Sequence, residues 1–334
     1  MSLVQEMLPA VEQELREAVQ RCGSRLGSDL SEMLTYHMGW SGPGAGFAAT
    51  GKRIRPILTL LACGGVCGDW RRALPVAASV EFIHNFSLVH DDIQDESPTR
   101  RGRETIWKRW GAAQAINAGD ALFAAASLAV LESEREALAP ATRAEALLVL
   151  SRACLELTHG QHLDLRAEDA AQASLDFYWQ MVTAKTGALI AAACLAGGLA
   201  GGASAAQADT LADFGLHLGL AFQVRDDVLG LWGDPAVTGK SATTDLESRK
   251  KSLPILFGLE RCAEFRALLA EPFTAAQVPR MLAALETCGA RTFALAEGAR
   301  MTERAYAAIG GAALLPEYDS ALRELTASLL TRDR

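Results

Sequence analysis

Long runs rich in alanine and leucine, with few β-branched segments of strand length, constrain the fold of this chain most strongly. Apolar residues recur at helical spacing in these runs, whereas the alternation typical of half-buried strands is scarce. Half of the 334 residues are apolar, which is enough to bury a large core. The sequence therefore predicts an all-α protein built as one bundle of long helices.

We expect a single domain over residues 1–334, because no change in composition marks a boundary. Residues 1–50 are predicted to form N-terminal helices and a glycine-rich loop, and residues 51–334 the core. The longest helices are predicted over residues 3–20 with a continuation to 38, and over 74–95, 114–138, 142–164, 175–200 and 205–231. From 253 to 330, helices alternate with short glycine or proline breaks.

The net charge of -8 and the pI near 5.4 argue against a nucleic-acid partner, which would require a basic surface. Seven scattered cysteines are typical of a reducing compartment. The N-terminus lacks the pattern of a signal peptide, and the most hydrophobic segment, 187–202, is short and rich in glycine and alanine. We therefore expect a soluble cytoplasmic protein without a transmembrane segment.

Two acidic clusters interrupt runs that are otherwise typical of buried helices. They are Asp91-Asp92-Ile93-Gln94-Asp95 and Asp226-Asp227-Val228-Leu229-Gly230. Residues four apart on a helix share a face, so Asp91 and Asp95 can bind the same ions. One such cluster alone is as typical of a solvated or capping group, but a second cluster favours Mg²⁺, a cation that prefers oxygen ligands.

Basic residues accompany both clusters. Lys52, Arg55, His84, Arg100 and Arg101 flank the first cluster, and Lys240 and Lys250 follow the second. Lys185 stands in an alanine- and glycine-rich helix, where a buried ammonium group needs an anion. Arginine forks and lysine ammonium groups bind phosphate oxygens. A diphosphate bridged by Mg²⁺ is the simplest ligand that satisfies charges of both signs.

Nine motifs occur in a fixed order along nearly the whole chain. They are Gly51-Lys52-Arg53-Ile54-Arg55-Pro56, the segment from Ser87 to Asp95, Arg100-Arg101-Gly102, Asn117-Ala118-Gly119-Asp120, Gly160-Gln161, Lys185-Thr186, the segment from Phe222 to Asp227, Gly239-Lys240 and the segment from Lys250 to Pro254. In this order the chain resembles the isoprenyl diphosphate synthases, the trans-prenyltransferase or polyprenyl synthetase family, and is similar to its geranylgeranyl diphosphate synthases. The resemblance implies an isoprenoid synthase-type bundle around a central cavity, with 51–334 as catalytic core.

The resemblance implies Mg²⁺-dependent head-to-tail condensation of isopentenyl diphosphate with an allylic diphosphate, giving a trans-polyprenyl diphosphate. It implies three Mg²⁺ ions, with Mn²⁺ as a possible substitute, held by Asp91, Asp92, Asp95, Asp226 and Asp227. It assigns Arg100, Lys185, Gln223, Lys240 and Lys250 to the allylic diphosphate. It assigns Lys52, Arg55, His84 and Arg101 to isopentenyl diphosphate, which is held without metal. The resemblance also implies a homodimer.

Further catalytic roles follow from the same resemblance. Lys185 and Lys240 join the aspartates as catalytic residues, and the oxygen dipoles of Thr186 and Gln223 stabilise the allylic carbocation. His84 on its own is more typical of a satisfied core residue. However, it lies two helical turns before Asp91 on the same face, so contact with phosphate is the better interpretation.

Two features bear on substrate and product. The second motif of the family usually ends in aspartate, and here its fifth position is Gly230. We expect this difference to alter the affinity for Mg²⁺ or for the allylic substrate. Phe86 and Ser87 lie about one turn deeper than Asp91, and one aromatic residue below a small one resembles the C20-forming type, so geranylgeranyl diphosphate is the expected product.

Two other functions remain open at this point. One is a class I terpene cyclase on the same bundle, which folds a single substrate onto itself. The intact set of Lys52, Arg55, His84 and Arg101 argues against it, since a cyclase needs no second diphosphate pocket. The other is a noncatalytic partner subunit of a prenyl synthase, in which decay of both aspartate motifs is expected.

Overall fold

The computed structural model describes residues 2–133, 138–169, 174–233 and 244–331. The N-terminal helices are α1 (Leu3–His37), α2 (Phe47–Thr50), α3 (Ile54–Cys67) and α4 (Leu74–Gln94). A short hairpin of β1 (Thr99–Arg100) and β2 (Arg103–Glu104) follows, and then α5 (Ile106–Trp110), α6 (Ala112–Leu131) and α7 (Pro140–Asp169).

The second half of the chain is also helical. Helix α8 (Leu175–Val182) continues through a π-helical turn (Thr183–Gly187) into α9 (Ala188–Gly201), and α10 spans Ala205–Trp232. The remaining helices are α11 (Thr244–Glu247), α12 (Leu253–Arg261), α13 (Ala263–Ala270), α14 (Val278–Thr287), α15 (Ala290–Gly311) and α16 (Pro316–Thr331). The prediction of an all-α protein is confirmed.

The chain groups into two compact units, each built from several segments. Unit 1 contains Met1–Ser151, Ala193–Asp209 and Ala313–Ala321, and unit 2 contains Arg152–Ala192, Thr210–Ala312 and Leu322–Arg334. The boundary expected at residue 51 is not one of these divisions. A single domain over 1–334 stays a prediction.

In unit 1, helix α4 packs against α1, α3 and α6. Every residue from 74 to 83 is buried, which is typical of a helix surrounded by others on all sides. The buried guanidinium of Arg53 donates to Glu12 (2.6 Å) and to Glu81 on α4 (2.7 Å). Because each charge has a partner of opposite sign, this ion-pair network is compatible with the apolar core.

In unit 2, helix α10 contributes to two apolar clusters. Val224 and Val228 pack with residues of α8, α12 and α15, among them Tyr178 and Met301. Leu231, near the end of α10, belongs to a second cluster with residues of α11 to α14. The polar residues of the second aspartate motif therefore lie on a helix that is held by packing on its other sides.

Two helical segments are long and apolar enough to cross a membrane by length and composition. They are Ala112–Leu131 and Leu175–Gly201, with 44% and 61% of their most apolar windows buried within the protein. Core helices of soluble proteins pass the same test, so these segments are weak evidence for a membrane span.

Candidate active site

Helix α4 carries the first aspartate motif at its C-terminal end. Asp91 is half-buried and Asp95 is exposed, and the Asp95 amide donates to the Asp91 carbonyl at 2.8 Å. The two side chains lie one turn apart, as the spacing predicts. The C-terminus of a helix carries partial negative charge, so carboxylates at this position favour a bound cation.

Asp92 is buried and forms an ion pair. Its Oδ1 accepts a hydrogen bond from Arg100 Nε at 2.8 Å, and Arg100 Nη2 forms an ion pair with the same oxygen at 2.8 Å. Burial raises the pKa of Asp92, and Arg100 partly offsets this effect. Asp92 therefore orients Arg100, and direct binding of metal by Asp92 stays a prediction.

The β1–β2 hairpin presents Arg100 and Arg101. Arg101 and Gly102 form its turn with φ of 52° and 71°, and Arg101 Nη1 donates to the carbonyls of Ala49 (3.1 Å) and Thr50 (3.0 Å). A Cβ on Gly51 would lie 2.8 Å from Arg101 Cζ, so only glycine allows this approach. The glycine-rich loop thus fixes the position of Arg101.

Arg55 and His84 form a hydrogen-bonded pair in unit 1. Arg55 Nη1 lies 3.1 Å from His84 Nε2. Arg55 Nε is buried and has no hydrogen-bond acceptor among the described residues. Burial lowers the pKa of Arg55, and burial together with Arg55, Arg101 and Arg100 lowers the pKa of His84 well below its usual value.

Arg53 and Arg55 differ in their charge balance. Arg53 forms ion pairs with Glu12 and Glu81, whereas Arg55 has no ion pair among residues 2–133, 138–169, 174–233 and 244–331. Burial also lowers the pKa of Arg101. A buried cationic group without an anion is unfavourable, so the group of Arg55, His84 and Arg101, whose charges act on the same His84 ring, fits an anionic ligand. Lys52 is exposed.

The residues expected to set product length lie on α4. Ser87 is buried and its hydroxyl donates to the His84 carbonyl at 2.8 Å. The ring of Phe86 lies 5.2 Å from that of Phe123 on α6 and 5.7 Å from that of His90. Phe123 was not predicted to lie here, because the sequence does not show which face of α6 meets Phe86.

In unit 2, Asp227 is buried and engaged by several donors. Its Oδ2 accepts from Tyr178 Oη (2.7 Å) and from the Leu253 amide (3.0 Å), and its Oδ1 accepts from Gln223 Nε2 (3.0 Å). Lys250 Nζ lies 3.9 Å from Oδ1. Burial raises the pKa of Asp227, and these donors partly offset it. Like Asp92, Asp227 is held by protein groups.

A line of polar side chains leads from the π-helical turn to α10. The Thr186 hydroxyl donates to Gln223 Oε1 at 2.9 Å, and Gln223 in turn donates to Asp227. This arrangement fixes the Gln223 amide and leaves the oxygen lone pairs of Thr186 free to face a cation. Lys185 Nζ donates to Asp164 Oδ2 at 2.5 Å. These residues line a cavity of about 80 Å³.

Lys250 lies within an acidic environment. Burial lowers its pKa, but Asp227, Asp245, Asp164 and Asp226 together raise it. Asp226 itself is exposed on α10. Lys240, a predicted catalytic and substrate-binding residue, lies outside the described residues. The sequence did not predict Asp164, Tyr178 or Asp245 as site residues, because their proximity depends on the fold.

The donor set can be compared with the needs of Mg²⁺. The described residues contain no preformed group of three or more His, Cys, Asp or Glu side chains that could hold a metal. Mg²⁺ usually takes one or two carboxylates and completes its shell with water and substrate phosphate. Asp91 and Asp95 in unit 1 offer such carboxylates, and so, by itself, does Asp226 in unit 2, so each motif fits Mg²⁺ that is shared with a diphosphate.

An all-α fold with two aspartate motifs and a cationic pocket defines the isoprenoid synthase class. A family model for polyprenyl synthetases matches residues 45–285. The chain therefore belongs to the polyprenyl synthetase family. A solved polyprenyl synthetase from Streptomyces coelicolor A3(2) superimposes with a TM-score of 0.87 at 34% identity, covering 97% of both chains.

Three relatives have named activities. A (2E,6E)-farnesyl diphosphate synthase of Mycobacterium bovis is 40% identical over 71% of this chain. The matched part spans 65% of that relative's length. A geranylgeranyl diphosphate synthase of Mycobacterium tuberculosis is 41% identical, covering 78% of this chain and 75% of the relative. A geranylfarnesyl diphosphate synthase of Aeropyrum pernix is 36% identical, and the match covers 84% of this chain and 89% of the relative.

Proposed function

We propose that this protein is a Mg²⁺-dependent trans-prenyl diphosphate synthase that joins isopentenyl diphosphate head to tail to an allylic diphosphate. The observation that carries this proposal is the pair of Arg55 and His84, with a buried Arg55 Nε donor that lacks an acceptor among the described residues. A terpene cyclase has no use for this second, metal-free diphosphate pocket. Family membership and the named activities of the relatives support the same function.

The reaction begins when the allylic carbon–oxygen bond breaks and both electrons leave with the diphosphate. The alkene of isopentenyl diphosphate then forms the new carbon–carbon bond, and the resulting cation loses a proton to the released diphosphate. Mg²⁺, when bound, neutralises the charge that grows on the leaving group. Asp91, Asp95 and Asp226 are its proposed ligands.

The other residues hold the substrates and protect the cation. Arg55, His84 and Arg101 bind the diphosphate of isopentenyl diphosphate through charge-assisted hydrogen bonds, with Lys52 at the exposed edge. Lys185, oriented by Asp164, and Arg100, oriented by Asp92, bind the allylic diphosphate. The Thr186 hydroxyl donates a hydrogen bond to Gln223 Oε1, so its oxygen lone pairs are directed at the allylic cation.

We propose geranylgeranyl diphosphate (C20) as the main product. The relatives are named for farnesyl, geranylgeranyl and geranylfarnesyl products, so family membership alone leaves chain length open. The proposal depends on the single aromatic ring of Phe86 with the small Ser87 above it. The contact of Phe86 with Phe123 adds a second ring to this barrier.

We also propose a homodimer. Helix α6 exposes the large apolar side chains of Ile116, Phe123 and Leu131, which are 47%, 47% and 56% exposed. Their spacing of seven and eight residues places them along one helix face, and an apolar stripe of this kind is typical of a protein interface. Light scattering coupled to size exclusion should give twice the mass of one chain.

The function is tested by incubating the protein with isopentenyl diphosphate, an allylic diphosphate and Mg²⁺, with products read by mass spectrometry. A linear C20 diphosphate that requires both substrates is expected. The Arg55→Ala variant should raise KM for isopentenyl diphosphate about 100-fold, because a charge-assisted bond contributes roughly 2–3 kcal/mol. KM for the allylic substrate should change little.

Arg280→Ala is the matched control, since Arg280 is an exposed arginine in a surface ion pair with Glu264. This variant should have the same KM for isopentenyl diphosphate as the wild type. A cyclic hydrocarbon made from the allylic substrate alone would favour the terpene cyclase. Absence of turnover by the purified protein would favour the noncatalytic subunit.

A further inference from the structure

Arg103, on strand β2, attaches the end of α1 and the glycine-rich loop (residues 38–51) to the β1–β2 hairpin. Its Nη1 donates to the carbonyl of Tyr36 (2.7 Å), its Nη2 to that of Ser41 (2.7 Å) and its Nε to that of Pro43 (2.9 Å). The donors of a guanidinium group lie in one plane and point in fixed directions. These bonds therefore fix both the position and the orientation of the backbone that leaves α1.

The ring of Tyr36 strengthens this attachment. Arg103 Cζ lies 4.0 Å from the centroid of the ring, and Tyr36 Oη donates to the Glu104 carbonyl at 3.0 Å. Gly42 has a φ of 78°, and a Cβ at this position would lie 2.7 Å from Tyr36 Cδ2. Any larger residue would therefore push the loop away from the ring. The loop, the ring and the hairpin hold one another in place.

The same hairpin holds the far end of the loop through Arg101, which donates to the carbonyls of Ala49 and Thr50. The loop is therefore attached to the hairpin at both ends. From the second attachment the chain runs directly into Lys52 and Arg55. The position of these two residues relative to Arg101 thus depends on how the loop is held.

Arg100, the neighbouring arginine, is held differently. It pairs with Arg103 across the hairpin, but its guanidinium group forms an ion pair with Asp92 on α4 at 2.8 Å. Its orientation is set by a helix and not by the loop. Release of the loop should therefore disturb the residues proposed for isopentenyl diphosphate and spare Arg100, which is proposed for the allylic diphosphate.

We infer that Arg103 is a positioning residue for isopentenyl diphosphate. By holding the glycine-rich loop on the hairpin, it keeps Lys52 and Arg55 at a fixed distance from Arg101, so that all three side chains meet the same diphosphate. Arg103 acts through these residues and not on the substrate itself. The inference rests on the proposed function, because it names what orders the metal-free diphosphate site.

The Arg103→Ala variant tests this role by steady-state kinetics. KM for isopentenyl diphosphate should rise about 10-fold, because the binding side chains remain but are no longer ordered before the substrate arrives. KM for the allylic substrate and kcat should stay within about 2-fold of wild type. Arg109→Ala is the matched control, since Arg109 also lies over the Tyr36 ring, at 5.0 Å, but is exposed on α5. This control should leave both KM values unchanged.

Methylguanidinium separates positioning from a general loss of structure. The space left in Arg103→Ala keeps the loop carbonyls and the face of the Tyr36 ring, which match a planar guanidinium group better than an ammonium ion. Added methylguanidinium should lower the raised KM toward the wild-type value, whereas methylammonium should not. Gly42→Ala displaces the loop while Arg103 stays in place, so it should raise the same KM.

Arg103→Lys keeps the charge but loses the planar fork, and it carries the test if Arg103→Ala does not fold. A variant at Arg103 with the same KM for isopentenyl diphosphate as Arg109→Ala would overturn the inference and leave the proposed function intact. An equal rise in both KM values, or a raised KM that methylguanidinium does not lower, would also overturn it. If the wild type does not condense the two substrates, the proposed function fails, and this inference fails with it.

Discussion

Adjacent aspartates in the second motif have opposite environments. Asp227 is buried and accepts hydrogen bonds from Tyr178, Gln223 and the Leu253 amide, whereas Asp226 is exposed on the same helix. A buried carboxylate with several donors stabilises the fold, since its loss leaves those donors unpaired. An exposed carboxylate lacks that burial and is accessible to a ligand. Stability and ligand binding are therefore divided between neighbouring residues.

This division predicts different outcomes for two neighbouring substitutions. Asp227→Asn should lower the free energy of unfolding by about 2–3 kcal/mol, because buried donors lose their acceptor. Asp226→Asn should change it by no more than about 0.5 kcal/mol, yet abolish stabilisation by Mg²⁺ and diphosphate. Urea unfolding, with and without these ligands, measures both effects. Equal destabilisation by the two substitutions would contradict the assignment.

His37 gives a prediction for pH dependence. Burial, with Arg101, Arg100 and Arg53 nearby, lowers the pKa of His37 to about 3. Below about pH 6.5 the unfolded chain binds a proton that the folded protein does not bind until about pH 3, so this residue lowers stability as pH falls through that window. By pH 5 the cost is up to about 2 kcal/mol.

The His37→Gln variant isolates this contribution, because the contributions of the carboxylates are common to both proteins. The variant should gain up to about 2 kcal/mol relative to wild type between pH 7.5 and pH 5, measured by urea unfolding. Parallel stability curves for the two proteins would show that His37 does not resist protonation.

For single residues, sequence spacing predicted which side chains share a helix face, but it did not predict their ion-pair partners. The i, i+4 rule correctly placed Asp91 and Asp95 one turn apart on a helix end. It could not show that Asp92 is paired with Arg100, or that Asp164 holds Lys185, because these partners lie 8 and 21 residues away in sequence. Such pairs depend on how hairpins and helices pack.

Helices α4 and α6 together present the rings expected to limit product length. Phe86→Ala should lengthen the products, and Phe123→Ala should do so as well, because the two rings are in contact. Leu148→Ala, a change at an exposed leucine on α7, is the control and should leave product length unchanged. Chromatography of the dephosphorylated products gives their lengths. Unchanged products in both phenylalanine variants would place the barrier elsewhere.

At the element scale, helix interiors were predicted better than their ends. Helix α4 was expected over 74–95 and spans Leu74–Gln94, but α6 was expected to reach 138 and ends at Leu131. Arg143 explains this end, since its Nη1 donates to the carbonyls of Val130 (3.1 Å) and Ser133 (3.1 Å). A cap supplied from the next helix gives no local sequence signal.

The π-helical turn was also missed. One continuous helix was predicted over 175–200, and the structure interrupts it at Thr183–Gly187, where Lys185 and Thr186 lie. The composition of this turn does not differ from that of an ordinary helix. π-Helical turns are frequent at functional sites because they redirect side chains, and this one directs Thr186 to Gln223.

The two diphosphates of the proposed reaction bind in surroundings of opposite charge. One is the cationic pocket of Arg55, His84 and Arg101 in unit 1, which has charge of its own for an anion. The surroundings proposed for the other diphosphate are the acidic motifs, one around Asp91 and one around Asp226. These motifs require divalent cations before they can bind an anion. Sequence motifs predicted both kinds of surroundings. Only the fold shows that Arg55 Nε has no acceptor among the residues described.

Calorimetric titration of the two substrates, with Mg²⁺ and with EDTA, tests this difference most directly. An analogue with sulfur in place of the bridging oxygen replaces the allylic diphosphate. Its carbon–sulfur bond resists heterolysis, so no reaction occurs. Isopentenyl diphosphate should bind equally well in Mg²⁺ and in EDTA and lose affinity in Arg55→Ala, whereas the allylic analogue should bind only with Mg²⁺. Binding of the allylic analogue in EDTA, or loss of isopentenyl diphosphate binding when the metal is removed, would contradict the account.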